Sequence, residues 1–212
     1  MKHIIIPVTA LQQNCSLLWC EESKKGAVID PGGDLDKILQ IASSNGVAIE
    51  KILITHAHFD HAGGANELAE KLSIPIEGPH IADKPLIERM SLQASIYGFP
   101  PVPSFTPERW LEQDDTISIG DITLRVLHCP GHTPGHVVFF HADSNLAFVG
   151  DVLFQGSIGR TDFPLSSHAD LIDSIRLKLW PLGSEVTFIP GHGPNSTFGA
   201  ERQNNPFVGD SQ

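Results

Sequence analysis

Paired cysteines, long apolar runs and an excess of basic charge are all missing from this chain of 212 residues. Its three cysteines, Cys15, Cys20 and Cys129, are an odd number with no CxxC spacing, which excludes a disulfide framework and a thiolate zinc knot. All three read as small core residues. No stretch approaches the roughly 18 apolar residues of a membrane span, and the opening MKHIIIPVTALQQN breaks its apolar run too early for a signal peptide. No membrane partner and a cytoplasmic location are expected. Lysine and arginine number 14 against 25 aspartates and glutamates, a formal net charge of −11, so phosphate backbones are repelled and nucleic acid is not an expected partner. Tyrosine occurs once and methionine twice, whereas histidine occurs eleven times. Neutral imidazole is the commonest metal ligand near physiological pH, so the positions of those histidines decide the reading.

With 41% hydrophobic residues the chain can bury a substantial core, and intrinsic disorder is excluded. Apolar, β-branched runs at 4–8, 16–19, 27–29, 51–54, 122–127, 137–140, 146–149 and 186–189 read as strands. Segments 34–44, 64–72, 85–97 and 168–180 have helical spacing with polar faces. The first strands follow one another through short turns, as in an antiparallel meander, and later ones alternate with helices. A sandwich of sheets covered by helices fits this order. The run Phe99-Pro100-Pro101-Val102-Pro103 reads as a stiff connection, not a boundary, so residues 1–212 are expected to form one domain. Glycine and proline turns follow four of the strands at Asp30-Pro31-Gly32-Gly33, Pro130-Gly131, Gly150-Asp151 and Pro190-Gly191-His192-Gly193. These turns should share one rim, where their side chains converge.

The densest chemistry is Thr55-His56-Ala57-His58-Phe59-Asp60-His61, four possible metal ligands within six residues at a strand-to-helix junction. In extended chain, residues i and i+2 project to one side, so His56 and His58 can grip one ion. Asp60 and His61 must then point elsewhere, toward a second ion. Three more candidates, His132, Asp151 and His192, each follow an apolar strand and a glycine turn. Three private ligands for each of two ions and one shared ligand account for all seven. Asp151 is the natural bridge, because a carboxylate offers two oxygens and an imidazole one free nitrogen. His3, His80, His128, His141 and His168 lack such a context and read as structural or solvated.

HAHFDH followed by PGHTPGH, GD and PGHG resembles the metallo-β-lactamase fold superfamily over nearly the whole chain. The motif separations and the run Gly159-Arg160-Thr161-Asp162-Phe163 are similar to its hydroxyacylglutathione hydrolase (type II glyoxalase) and persulfide dioxygenase branches, the short single-domain YcbL-type hydrolases above all. The resemblance implies a mixed α/β fold, an αββα four-layer sandwich. It places His56, His58 and His132 on the first metal, Asp60, His61 and His192 on the second, and Asp151 across both. It also implies that Asp30 and His136 support these ligands from behind. Two divalent ions are expected, zinc first, with iron or manganese as alternatives.

Two divalent ions, two ligand carboxylates and a shared hydroxide leave a formal charge of +1, so a small anionic substrate is expected. The hydroxide is the expected nucleophile and Asp60 and Asp151 the catalytic carboxylates. A thiol with a pKa near 8.5 departs as an anion, whereas an amine needs a proton, which favours a thioester. S-Acylglutathione, and S-lactoylglutathione in particular, is the leading substrate. Arg160 is the anion-binding candidate at the rim, and its rival reading is a salt bridge to Asp162 that shapes the loop. The principal alternative activity is an iron-dependent persulfide dioxygenase using His56, His132 and Asp151, followed by another esterase or phosphodiesterase of the same fold.

Overall fold

The computed structural model describes residues 1–211. A five-stranded sheet is built from β1 (Lys2–Val8), β2 (Gln13–Trp19), β3 (Lys25–Ile29), β4 (Ala48–Leu53) and β5 (Ile76–Glu77), in that spatial order. The first three strands form the antiparallel meander expected from their short turns, with Ile4 opposite Leu17 and Ser16 opposite Ile29. Helical crossovers then make β4 and β5 run parallel to β3. Helices α1 (Leu35–Ser44), α2 (Phe59–Ala62), α3 (Ala65–Leu72), α4 (Lys84–Ile87) and α5 (Met90–Ile96) belong to this half.

The second half contributes β6 (Thr116–Ile119), β7 (Ile122–His128), β8 (Val137–His141) and β9 (Leu146–Gly150), and a small hairpin of β10 (Leu153–Phe154) and β11 (Ser157–Ile158). Helix α6 (His168–Ser174), strands β12 (Thr187–Pro190) and β13 (Ser196–Thr197) and helix α7 (Phe198–Asn204) complete it. The six-stranded sheet has the order β13-β12-β9-β8-β7-β6, with β12 parallel to β9 and the other neighbours antiparallel.

Period-two alternation sorts the apolar side chains into three slabs of core. In the first sheet Leu17, Val28 and Ile52 pack outward under the helices, while Leu18, Ala27 and Leu53 face the other sheet. In the second, Phe139, Phe148 and Ile189 face inward, and Val138, Ala147 and Phe188 pack beneath α6 and α7. Each of the Val, Leu, Ile and Phe side chains among them contributes about 1.5–3 kcal/mol by leaving water, which is why both sheets are apolar on both faces. The layers are therefore helix, sheet, sheet, helix. Among the described residues no helix is long and apolar enough to cross a membrane.

Two expected helices differ in detail. Segment 85–97 is two helices: Arg89 N–H closes α4 on the Leu86 carbonyl at 3.1 Å, and the chain re-enters at Met90. That break lets Ile87 and Met90 both reach the core. Segment 168–180 opens with Ser167 capping Asp170 N–H, then widens into a π-helical stretch at Ile175–Leu179 that seats Ile175, Leu179 and Trp180 inward. All three cysteines are buried, and burial pushes the Cys129 thiol up to about 12. Trp110 is half-buried beside Ile81, Lys84 and Phe105 at a surface groove.

Candidate metal centre

The carboxyl ends of β3, β4, β7, β9 and β12 open at one rim, and the loops leaving them carry the predicted ligands. After β4 the chain stays extended through His58 (φ −79°, ψ 145°), then turns into α2. His56 Nε2 and His58 Nδ1 consequently lie 3.1 Å apart, and His132 Nε2, from the loop after β7, is 3.0 Å from the same Nδ1. Asp60 and His61, inside α2, face the other way. Asp60 Oδ2 is 3.8 Å from His61 Nε2 and 3.1 Å from His192 Nε2, which arrives from the end of β12. Between the two groups stands Asp151, its Oδ1 3.4 Å from His61 Nε2 and its Oδ2 3.6 Å from His132 Nε2. All seven side chains meet at this rim. Two glycines make room: a Cβ on Gly32 would sit 1.6 Å from the Asp60 carbonyl oxygen, and one on Gly191 would sit 2.2 Å from Asp151 Oδ1.

Hydrogen bonds behind the rings fix which nitrogen faces inward. His61 donates from Nδ1 to Asp30 Oδ2 at 2.9 Å, so Nε2 points toward Asp60 and Asp151. Thr55 donates its hydroxyl hydrogen to Asp30 Oδ2 at 2.6 Å and therefore accepts from His56 Nδ1 at 3.0 Å, leaving Nε2 of His56 as a lone pair. His132 donates from Nδ1 to the Arg160 carbonyl at 2.8 Å, with the same result. Two lone pairs thus converge on His58 Nδ1, whose single hydrogen can satisfy only one. Ligand atoms at about 2.0–2.1 Å from a tetrahedral ion lie roughly 3.3 Å apart, close to these separations. On the other side, His61 Nε2 and Asp151 Oδ1 are buried without a hydrogen-bond partner although they face each other. Both groups have the donor atoms to hold a cation.

Residues 8–192 match the model of the family described as the metallo-beta-lactamase superfamily. The chain belongs to that superfamily. It is 44% identical over 205 residues to the hydroxyacylglutathione hydrolase GloC of Haemophilus influenzae, covering 96% of each chain. Among solved structures it is similar to the BLEG-1 B3 metallo-beta-lactamase (33% identical, TM-score 0.90, 98% and 99% of the two chains). A second is TTHA1623 in a di-iron-bound form (38% identical, TM-score 0.88, 97% and 100%). The histidine and aspartate groups of this superfamily member are able to hold divalent metal.

Charge divides the centre of this metallo-beta-lactamase superfamily protein. Burial, reinforced by neighbouring imidazoles, holds His56 well below the ordinary histidine value. Burial and then His132 push His58 down to about 3, and burial lowers His132 as well. These rings are neutral at pH 7. In the second group burial acts in the same direction on the imidazoles but is outweighed: Asp151 and Asp60 hold His61 well above the ordinary value, and Asp60 and Asp151 raise His192. Burial alone would raise both carboxylates, yet His61 above all holds Asp60 and Asp151 below the usual range.

Asp30 is a buried hub, its φ of 52° tolerated by aspartate, that accepts from Thr55 N–H at 2.7 Å as well as from Thr55 Oγ1 and His61. His136 accepts from Asp151 N–H at 3.1 Å and stacks on His56 at 4.6 Å between ring centroids. The Arg160 guanidinium is engaged by Asp162 at 3.0 and 2.9 Å and lies 4.3 Å above the Phe163 ring, whose edge meets the His58 and His132 rings. The loop-shaping salt bridge expected as the rival reading is therefore present.

Three supporting residues carried no sequence signal. Asn14 donates from Nδ2 to the carbonyls of Pro190 and Gly193 at 3.0 and 2.9 Å, and its N–H reaches Gly191, so β2 clamps the loop of His192. Gln13, fully buried, lies 3.3 Å from His61 Nδ1. Asp83, in a short turn at Ile81–Asp83, accepts from both ligand loops, and burial pushes its carboxyl up to about 6.

Proposed function

We propose that this chain is a binuclear metal-dependent hydrolase that cleaves thioesters, with S-acylglutathione, and S-lactoylglutathione first, as substrate. The observation that carries the reading is Asp151, which offers one oxygen to each histidine group, at 3.4 Å from His61 Nε2 and 3.6 Å from His132 Nε2. His56, His58 and His132 would hold one ion, Asp60, His61 and His192 the other, and Asp151 both. Zinc or iron suits this donor set, and TTHA1623 holds two irons. When bound, such ions supply Lewis acidity toward a carbonyl and lower the pKa of water to near 7.

The chain's own residues do the rest. Thr55, Asp30 and the Arg160 carbonyl occupy the Nδ1–H of His56, His61 and His132, so each of these three rings turns its Nε2 inward. Phe163, its ring at a steep angle to those of His58 and His132, is an apolar wall beside them. Arg160, exposed at the mouth and paired with Asp162, is the candidate contact for an anionic substrate. A thioester suits this arrangement because a thiolate leaves without a proton donor, whereas an amide nitrogen needs one. The name of the Haemophilus influenzae relative supports the glutathione carrier.

The test is release of free thiol from S-lactoylglutathione by zinc- or iron-loaded protein, with metal content measured on the same preparation. Turnover at two metals per chain is the expected result. Two retained metals without thiol release overturn the substrate assignment. One iron per chain with oxygen uptake on glutathione persulfide overturns the hydrolase reading. The overlap with BLEG-1 favours a second substrate class, β-lactams, and ring opening slower than thioester cleavage is expected on the same preparation.

A further inference from the structure

We propose that Asp83 is the positioning residue of the three-histidine group, the carboxylate that sets the separation of the two loops carrying its ligands. Its side chain is fully buried and belongs to neither loop. Oδ2 accepts from Ala57 N–H at 2.9 Å, and Ala57 is the residue between His56 and His58. The same oxygen accepts from Thr133 Oγ1 at 2.9 Å, and Oδ1 accepts from Gly135 N–H at 2.6 Å. Thr133 follows His132 and Gly135 precedes His136. One carboxylate therefore holds the chain next to three ligands and to the histidine that stacks behind them.

The two loops come from different sheets, His56 and His58 from the end of β4 and His132 from the end of β7. Among the described residues a single backbone hydrogen bond, Val137 N–H to the Thr55 carbonyl at 2.8 Å, ties these stretches directly. The Asp83 carboxylate adds a side-chain tie between them. Its turn is also seated against the second loop, since His80 N–H bonds the Gly135 carbonyl at 3.0 Å and a Cβ on Gly135 would meet both His80 O and Asp83 N at 2.6 Å. With all three donors uncharged, the contact is directional and not a charge pair. It fixes position where the nitrogens of His56, His58 and His132 stand 3.0–3.1 Å apart. Asparagine has the same shape but one acceptor oxygen, so it leaves a buried N–H facing an NH₂ group and frees one loop.

This inference rests on the reading of the centre as metal-binding. The experiment is stepwise titration of wild type, Asp83→Asn and Thr133→Val with cobalt(II) and zinc(II) against a chromophoric chelator, with the cobalt ligand-field spectrum recorded at each step. Asp83→Asn should weaken binding at the three-histidine group by about 10- to 100-fold and shift its cobalt bands, with less than about threefold change at the aspartate–histidine group. Thr133→Val, which removes one of the three donors and leaves the carboxylate, should give a smaller loss in the same group. Wild-type affinity and an unchanged spectrum in both variants overturn the role of Asp83 alone, as does equal weakening of both groups. A wild-type protein that binds neither cobalt nor zinc overturns the metal reading, and this inference with it. If Asp83→Asn does not fold, Thr133→Val decides by the same two readouts.

Discussion

The three-histidine group and the aspartate–histidine group stand side by side and share Asp151, yet their proton balance is opposite. In the first, three imidazoles are buried together with one oxygen of Asp151 nearby, and desolvation keeps them neutral. In the second, Asp60, Asp151 and Asp30 surround His61, and carboxylate charge overcomes the same desolvation, raising His61 and His192 toward the protonated form. One group is ready for a cation and the other must exchange a proton for it. Burial by itself does not set the charge of a site; the ratio of carboxylates to imidazoles in contact does.

The largest expected effect falls on the residue that joins the groups. Asp151→Asn should lose metal from both and reduce turnover by more than the roughly 100-fold that applies to groups behind the ligands, read as metal per chain after dialysis together with thiol release. Unchanged turnover removes Asp151 from between them. Next is the difference in protons. Below the raised values of His61 and His192 a cation must displace a proton from each, so affinity at that group should rise about tenfold per pH unit for each proton released. At the three-histidine group affinity should be nearly flat from pH 6 to 8. Chelator competition at several pH values measures both slopes, and equal slopes break the comparison.

A smaller effect concerns stability. The carboxyl of Asp83 sits at about 6 in the folded chain against an ordinary 3.8, so the folded state binds the proton more tightly than the unfolded one. That contribution is fully present below about pH 4 and lost as pH rises through 6, on the order of 3 kcal/mol for two units. Asp83→Asn has no such proton. Urea unfolding of the metal-free proteins should therefore show the variant gaining on wild type by up to about 3 kcal/mol between pH 4 and 7.5, and a constant difference contradicts the buried charge. The smallest effect is expected at Arg160, exposed and already paired with Asp162. Arg160→Gln should raise KM by roughly two- to fivefold with kcat little changed, since its side chain meets neither group of ligands. No change in KM leaves the Arg160 side chain with the loop alone.

Local patterns were legible where physics is local. HAHFDH announces itself because an extended pair at i and i+2 and a following helical turn are both short-range geometry. The long β-branched runs became β1–β4, β7–β9 and β12 for the same reason. The two-residue strands β5, β10, β11 and β13 have no period to detect, and β6, at Thr116–Ile119, is polar at alternate positions. Helix α7 was also missed, its buried face limited to a few residues such as Phe198 and Glu201. Asp83 and Asn14 are the sharper case. Asp83 acts on Thr133 fifty residues away and Asn14 on Pro190 at a separation of 176, and nothing around either residue distinguishes it from an ordinary turn or strand polar group.

The sequence by itself determined the donor set, its division into two pairs within one motif, and the glycine turns that deliver the remaining ligands, because each depends on residue type and near-neighbour spacing. Residue spacing left open which group His132 and His192 complete, which the family resemblance alone supplied. The tertiary structure sets His132 beside His58, His192 beside Asp60 and one oxygen of Asp151 toward each group, and brings in Asp83 and Asn14, which had no sequence signal. Those facts depend on which strand ends the two packed sheets bring to a common rim, and strand pairing joins residues that the chain keeps far apart.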